Sequence, residues 1–221
     1  MPLALVTGAA RANSIAAGIV PHLTKDGWTV VTSDLHAGDI PCDLSTAEGP
    51  ATLVTEVSSR YGPIEALVLS HAHDVESGIL DTTAESVDQH FAVNARASLL
   101  LIAAFARQSG ERGGAIVAFT SDHTTGNLPY GASKGALDRI VISAARELGP
   151  LRISANVVNP GPIDTGWIDD SLRAALTTQH PLGRLGTPTD IAAVVAFLLS
   201  AEGRWMTGQL LTADGGFSAR L

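Results

Sequence analysis

Short, continuously apolar runs alternate with stretches of helical spacing along the whole chain, and this alternation limits the fold more than any other feature. Leu3–Thr7 is apolar and ends in a glycine turn, and Thr29–Ser33 is rich in β-branched residues. Leu67–Leu69, Ala115–Phe119, Ile153–Val158 and Gln209–Thr212 repeat the pattern. Such runs read as strands buried on both faces. Between them, Ser14–Lys25 carries Ile15, Ile19 and Leu23 at helical spacing, with Ser14 placed as its cap. Thr82–Gln108, Tyr130–Leu148 and Thr189–Leu199 are further helical stretches. The pattern predicts an α/β fold, a doubly wound parallel sheet in one domain over residues 1–221. Crossovers should be right-handed, and ligands should bind at the carboxyl ends of the strands.

One connection is short. Asp39–Cys42 reads as a third strand, and only eight residues separate Asp34 from Asp43. A crossover helix with its loops needs about a dozen residues. The connection between the second and third strands should therefore be shortened, leaving an exposed or partner-covered flank beside Asp34.

Composition then narrows the function. With 14 Lys+Arg against 22 Asp+Glu the formal charge is −8 and no basic cluster stands out, so no nucleic-acid partner is expected. Cys42 is the one cysteine, which excludes an internal disulfide framework and supports no cysteine-based zinc site. The longest apolar runs, Leu99–Ala106 and Ile191–Leu199, fall well short of the roughly 18 residues of a membrane span. Pro2–Val6 leads into the first turn without a basic start, so the expected location is cytoplasmic.

Three loops carry the chemistry. Gly8 to Ala16 follows the first strand and opens the first helix, where backbone N–H groups favour an anion and small residues admit a pyrophosphate. Asp34 stands 26 residues after Gly8, at the end of the next strand. A carboxylate there can accept from both adenosine ribose hydroxyls and repels a 2′-phosphate, which favours NAD over NADP. Arg11 pulls toward NADP, because its guanidinium could pair with that phosphate. The plain alternative is a strand–turn–helix with a solvated Asp. Next, Tyr130 and Lys134 lie one helical turn apart on one face. An ammonium near a phenol stabilises the phenolate and suits the tyrosine to general acid–base work. Ser121, nine residues earlier at a strand end, could hold a substrate oxygen beside it. Taken singly, these three are as well explained by a half-buried aromatic, a solvated charge and a cap. Finally, Asn159–Thr165 reads Asn-Pro-Gly-Pro-Ile-Asp-Thr, a rigid loop with exposed peptide groups that could pair with a flat amide-bearing ring.

Together, in this order and on these elements, the three loops resemble the short-chain dehydrogenase/reductase family, from Leu3 to Phe217. Gly208–Gly216 resembles that family's C-terminal strand. The resemblance implies a Rossmann-type sheet, a nicotinamide dinucleotide and hydride transfer at a carbonyl or secondary alcohol; family analogy extends this to a 3-oxoacyl substrate. It implies Tyr130 as proton donor or acceptor, Lys134 lowering its pKa and holding the nicotinamide ribose, and Ser121 orienting the substrate oxygen. Asn94 matches a structural Asn that positions a water beside the Lys; in bland terms it is a mid-helix polar residue bonded to nearby backbone. For the cofactor, the resemblance adds Gly8, Arg11, Ser14 and Ile15 at the phosphates, and Asp34, Asp43 and Leu44 around the adenosine. Ser70, His71 and Ala72 follow the third long strand, and Pro160, Gly161, Ile163 and Thr165 meet the nicotinamide.

The chain also departs from the family. Ser14 and Ala16 replace the usual second and third loop glycines, in a longer turn that resembles the one in enoyl-acyl-carrier reductases. Those enzymes space their Tyr and Lys further apart. The family's Asn-Asn-Ala-Gly is here Leu69-Ser70-His71-Ala72. The segment from Ser121 to Tyr130 is short, which puts Asp122 and His123 at the pocket rim. His71, His73 and His123 lack the spacing of a metal site, so no metal is expected. Residues 163–186 form a substrate lid with Trp167, Ile168, Leu172, Leu176 and Leu182, and its apolar face suggests a mainly hydrophobic pocket. The two long helices match the family's dimer surfaces, and Trp205-Met206 offers a second contact, so a homotetramer is expected, with a dimer second. Two rival readings remain. A cofactor-free lyase resembling halohydrin dehalogenases shares the degenerate turn, but Lys134 and Pro160-Gly161 argue against it. A non-catalytic dinucleotide-binding protein would have no use for Asn94, Ser121, Tyr130 and Lys134 together.

Overall fold

The computed structural model describes every residue except Thr124, Trp167, Arg220 and Leu221. Six strands among the described residues form one parallel sheet: β1 (Leu3–Thr7), β2 (Thr29–Ser33), β3 (Ala66–Leu69), β4 (Gly114–Phe119), β5 (Ile153–Asn159) and β6 (Leu210–Thr212), in the order β2-β1-β3-β4-β5-β6. The strands are apolar throughout because alternate residues feed two cores. Leu3 and Leu5 of β1, Leu67 and Leu69 of β3, and Ile116 and Ala118 of β4 pack into one core. Ala4, Val6, Ala66, Val68, Ala115 and Val117 pack into the other.

The first core is covered by α2 (Gly49–Tyr61), α4 (Ala97–Ser109) and α5 (Leu128–Leu148), with Phe105 fully buried at its centre. The second is covered by α1 (Ile15–Lys25) and α7 (Pro188–Leu199). Ser14 caps α1 as its sequence position suggests, accepting from the Ala17 amide at 3.2 Å. A capping box of Thr187 and Asp190, with Pro188 in the first turn, starts α7. α1 and α7 pack closely because Gly18 has no side chain; a Cβ there would lie 2.5 Å from the Pro188 carbonyl carbon.

Two expectations are corrected. Asp39–Cys42 forms no strand; its segment makes a single antiparallel bridge, Ser33 to Gly38, and turns back along β2. Pro41 supplies no amide for a ladder. The segment is instead tied to β2 by the Ile40 amide on the Thr32 carbonyl (3.1 Å) and the Thr32 amide on Asp39 Oδ2 (2.8 Å). The next strand is β3, reached through α2, a helix the sequence pattern did not reveal. The flank beside Asp34 is nevertheless a sheet edge, since β2 is the outermost strand. The long stretch Thr82–Gln108 is not one helix either: α3 (Ala84–His90) passes through a π-helical turn at Phe91–Arg96 into α4. In the lid region α6 (Asp170–Gln179) is helical, while the expected lid residue Trp167 lies outside the described residues.

Candidate active site

The strand order reverses its direction of winding between β1 and β3, and the crevice at such a point is where open α/β sheets take ligands. Gly8 ends β1 there with φ +74°, and its amide donates to the Ser33 carbonyl (2.8 Å). A Cβ on Gly8 would sit 2.5 Å from the Ser70 carbonyl carbon, so only glycine lets the ends of β1 and β3 come together. Asp34 closes the turn from the β2 side: Oδ2 accepts from the Ala10 amide (2.9 Å) and Oδ1 from the Leu35 amide (2.7 Å). Arg11 is exposed in the turn, and Ser14 and Ile15 open α1 behind it.

Further along, Asp43 is exposed and accepts from the Ser45 amide (2.8 Å); the Ser45 hydroxyl first, and this amide second, hold its carboxyl below the ordinary range. Leu44 is buried in the first core, leaving its backbone for any ligand. Ser70 and Ala72 flank His71, whose ring turns inward. Its Nδ1 meets Thr7 Oγ1 at 2.7 Å, and its Nε2 meets the Val93 carbonyl at 3.1 Å. Burial first, and the Lys134 charge second, push this imidazole down to about 3. The ring is therefore a neutral buckle between β1, β3 and the π-helical turn, and His71 itself can offer a site only its backbone.

At the end of β5, Gly161 adopts φ +62° and packs where a Cβ would lie 2.4 Å from Asp214 Cβ. Its amide donates to Asn159 Oδ1 at 3.2 Å, and Pro160 is buried beside it. Ile163 bridges to Gly186 and sinks into the second core, while the Thr165 amide turns back to the Ile163 carbonyl (2.9 Å). Asp164 pairs with Arg173, tying the loop to α6.

Ser121, at the end of β4, accepts from the His123 amide (3.3 Å) and faces His123 Nδ1 (3.1 Å). The His123 ring stands edge-on to Tyr130, centroids 6.0 Å apart. Tyr130 and Lys134 lie one turn apart on α5, with Lys134 Nζ 5.7 Å from the phenol ring centroid and donating to the Phe119 carbonyl at 2.8 Å. The expected lowering of the phenol by Lys134 is not what these surroundings give. Burial pushes Tyr130 up, and the Asp74 charge adds to it. Lys134 is itself held down to about 8 by burial, against the opposing charges of Asp138 and Asp74. Asn94, fully buried in the π-helical turn, is no ordinary mid-helix residue. Its Oδ1 accepts from the His73 amide (2.7 Å), and its Nδ2 donates to the His73 carbonyl (2.9 Å) and Ser133 Oγ (2.8 Å). It thereby fixes the chain beside Lys134 to the chain after β3. π-Helical turns recur at functional sites because they re-aim one side chain.

The sequence-predicted residues thus collect along one edge of the sheet. Two that it missed join them: Asp74, which acts on both Tyr130 and Lys134, and Asn127, which donates from Nδ2 to Asp74. They are 53 residues apart in the chain, so no local spacing announces the contact.

Comparison with known proteins decides the family. A family model described as enoyl-(acyl carrier protein) reductase matches residues 8–218. An oxidoreductase of Bacillus subtilis, YjdA, is 34% identical over 97% of this chain and 96% of its own. This chain belongs to the short-chain dehydrogenase/reductase family. L-xylulose reductase of Bos taurus, another member, is 31% identical, covering 98% of this chain and 96% of that protein. A solved blue fluorescent protein from a metagenomic library, in complex with NADPH, superposes with TM-score 0.88 at 28% identity over 99% of this chain and 98% of its own. The short-chain dehydrogenase/reductase scaffold therefore spans the described chain from β1 to β6, with β2 as its edge.

Proposed function

We propose that this protein is an NAD(P)-dependent reductase or dehydrogenase acting on a carbonyl or secondary alcohol, with Tyr130 as general acid–base. The observation that carries the reading is the pairing of Tyr130 and Lys134 on one face of α5, beside Ser121 and across from the Gly8 crevice. The residues fit a nicotinamide dinucleotide. Gly8 keeps the entry to the turn clear of a side chain for the phosphates, Asp34 and Asp43 would face the adenosine, and Gly161–Thr165 would offer backbone to the nicotinamide amide. When bound, the cofactor would give or take the hydride.

The protein's own part is positioning and proton transfer. Ser121 orients the substrate oxygen. Tyr130 gives its proton to that oxygen in reduction and takes it back in oxidation. Lys134 holds the ribose and passes the proton on, and Asn94 keeps the chain on either side in register. A phenol held above its ordinary value is protonated at neutral pH, the form that donates to the substrate oxygen in reduction. Asp34 biases the site toward NADH, while Arg11 leaves room for NADPH. The 3-oxoacyl reading of the substrate rests on analogy alone, so a 3-oxoacyl thioester belongs in the first substrate screen. A homotetramer in the cytoplasm is part of this reading; the exposed Leu99 and Ile142 on α4 and α5 and the exposed Trp205 near β6 support the assembly, as apolar side chains that a second copy would cover.

Parallel titration with NADH and NADPH, followed by nicotinamide fluorescence, comes first. Tyr130→Phe should then lose about 10²–10⁴-fold in turnover with cofactor affinity retained. Full turnover in that variant overturns the assignment. Binding of neither cofactor favours the cofactor-free, dehalogenase-like reading.

A further inference from the structure

Asp74 stands at the mouth of the site with its carboxylate exposed. It is fixed by its neighbours on both sides. The preceding residue, His73, is clamped through its amide and carbonyl by Asn94. The following residue, Val75, donates its amide to Nε2 of the buried His90 at 3.2 Å, and His90 Nδ1 reaches the Ser86 carbonyl at 2.6 Å. This pins the His90 tautomer, with Nδ1 donating and Nε2 accepting. The backbone bearing Asp74 is therefore held in place.

Across from it, Asn127 precedes α5 by one residue and Tyr130 by three, and it is 4% exposed. A carboxylate only accepts, so the amide nitrogen must face Asp74, as it does. The amide oxygen, Oδ1, is then left buried without a donor among the described residues. An unpaired buried acceptor costs free energy, and native proteins leave few of them. Asp74 and the Asn127 amide oxygen thus bring acceptor capacity together at the start of the catalytic helix.

We infer that Asp74 and Asn127 form a recognition subsite for a hydrogen-bond donor, hydroxyl or ammonium, carried by the substrate beyond its reacting carbonyl. The inference rests on the oxidoreductase reading above and deepens it, favouring a hydroxylated or amino ketone over a plain acyl chain. Asn127 stands at the N-cap of the helix that carries Tyr130, one turn before it, and its bond to Asp74 ties the subsite to that end of the helix, where the Asp74 charge also acts on Tyr130 and Lys134. A donor bound there also screens that charge from the phenol, so recognition and proton transfer are coupled.

The test uses the cofactor-loaded protein and short ketones whose chains end in methyl, hydroxyl or ammonium. Turnover is read together with the ligand-induced rise in melting temperature. The wild type should prefer one of the donor-ended series, and which one identifies the donor. Asp74→Ala should raise KM for that series by about 10–100-fold, the loss of a charge-assisted hydrogen bond, and leave KM for the methyl series unchanged. Asp74→Asn keeps the shape and should lose less for hydroxyl than for ammonium. In both variants the pH limb set by Tyr130 in alcohol oxidation should move to lower pH, a shift that a merely structural role would not produce. Equal binding of methyl- and donor-ended ketones by the wild type, or an equal loss for both in Asp74→Ala, overturns the subsite. Ketones that bind but never turn over overturn the oxidoreductase reading instead and leave the binding comparison to judge the subsite.

Discussion

At the scale of single residues, the inward-turned His71 has the clearest consequence for pH. Its folded value, near 3, lies below the ordinary 6.5 of an unfolded histidine. Between those two values the unfolded chain binds the extra proton and the folded chain does not. The stability that depends on neutral His71 is complete above about pH 6.5 and is lost as pH falls toward 3, by at most about 1.4 kcal/mol per pH unit. Denaturant unfolding at a series of acidic pH values should show this slope, and His71→Asn should flatten it while lowering stability at pH 7. An unchanged slope in the variant would assign acid sensitivity to other groups. The sequence shows His71 only as a departure from a family motif. That its ring serves as an interior buckle follows from Thr7 and Val93, which are distant in the chain. Tyr130, Lys134 and Ser121 were legible because their spacing is local. The direction of the Tyr130 shift was not, because burial and Asp74 are tertiary facts.

At the scale of elements, the strands and the caps could be read because each depends on neighbours in sequence. Ser14 caps α1 where its position says it should. α2 went unread although Pro50, Leu53, Val54 and Val57 stand at helical spacing on its buried face: the stripe is short, and its N-cap, Glu48, makes no side-chain cap bond to announce a start. Asp39–Cys42 misled because buried Ile40 between polar residues imitates strand alternation. Packing between elements yields a paired test on two helical glycines. Gly18→Ala drives a methyl into the Pro188 carbonyl and should destabilise by about 1–3 kcal/mol. Gly135→Ala on α5 meets nothing within 4 Å and should stabilise by about 0.5–1 kcal/mol, since glycine is a poor helix former. Thermal unfolding of the two variants should shift in opposite directions. A Gly18→Ala variant as stable as the wild type would show that α1 and α7 can separate without cost.

At the scale of the whole molecule, two groups of exposed apolar side chains lie on or near helices that cover opposite faces of the sheet. Leu99 and Ile142 are on α4 and α5; Phe197, Trp205 and Leu210 are around the far end of α7 and β6, with Trp205 96% exposed. A monomer that leaves such side chains in water is expected to self-associate. Light scattering after size exclusion should give a tetramer for the wild type and a dimer for Trp205→Glu, which places a charge on the second face only. A wild-type monomer would remove the assembly from the account. The opposite margin of the sheet has a different character. Outermost strands carry unpaired peptide groups and are natural templates for cross-strand aggregation. Here the chain after β2 folds back on it, and the Asp39 carboxylate takes both the Thr32 amide and its hydroxyl. That anionic plug lets the sheet end at β2 without offering an adhesive seam to other chains, so growth by strand addition is closed at one margin while assembly through side chains stays open at the other.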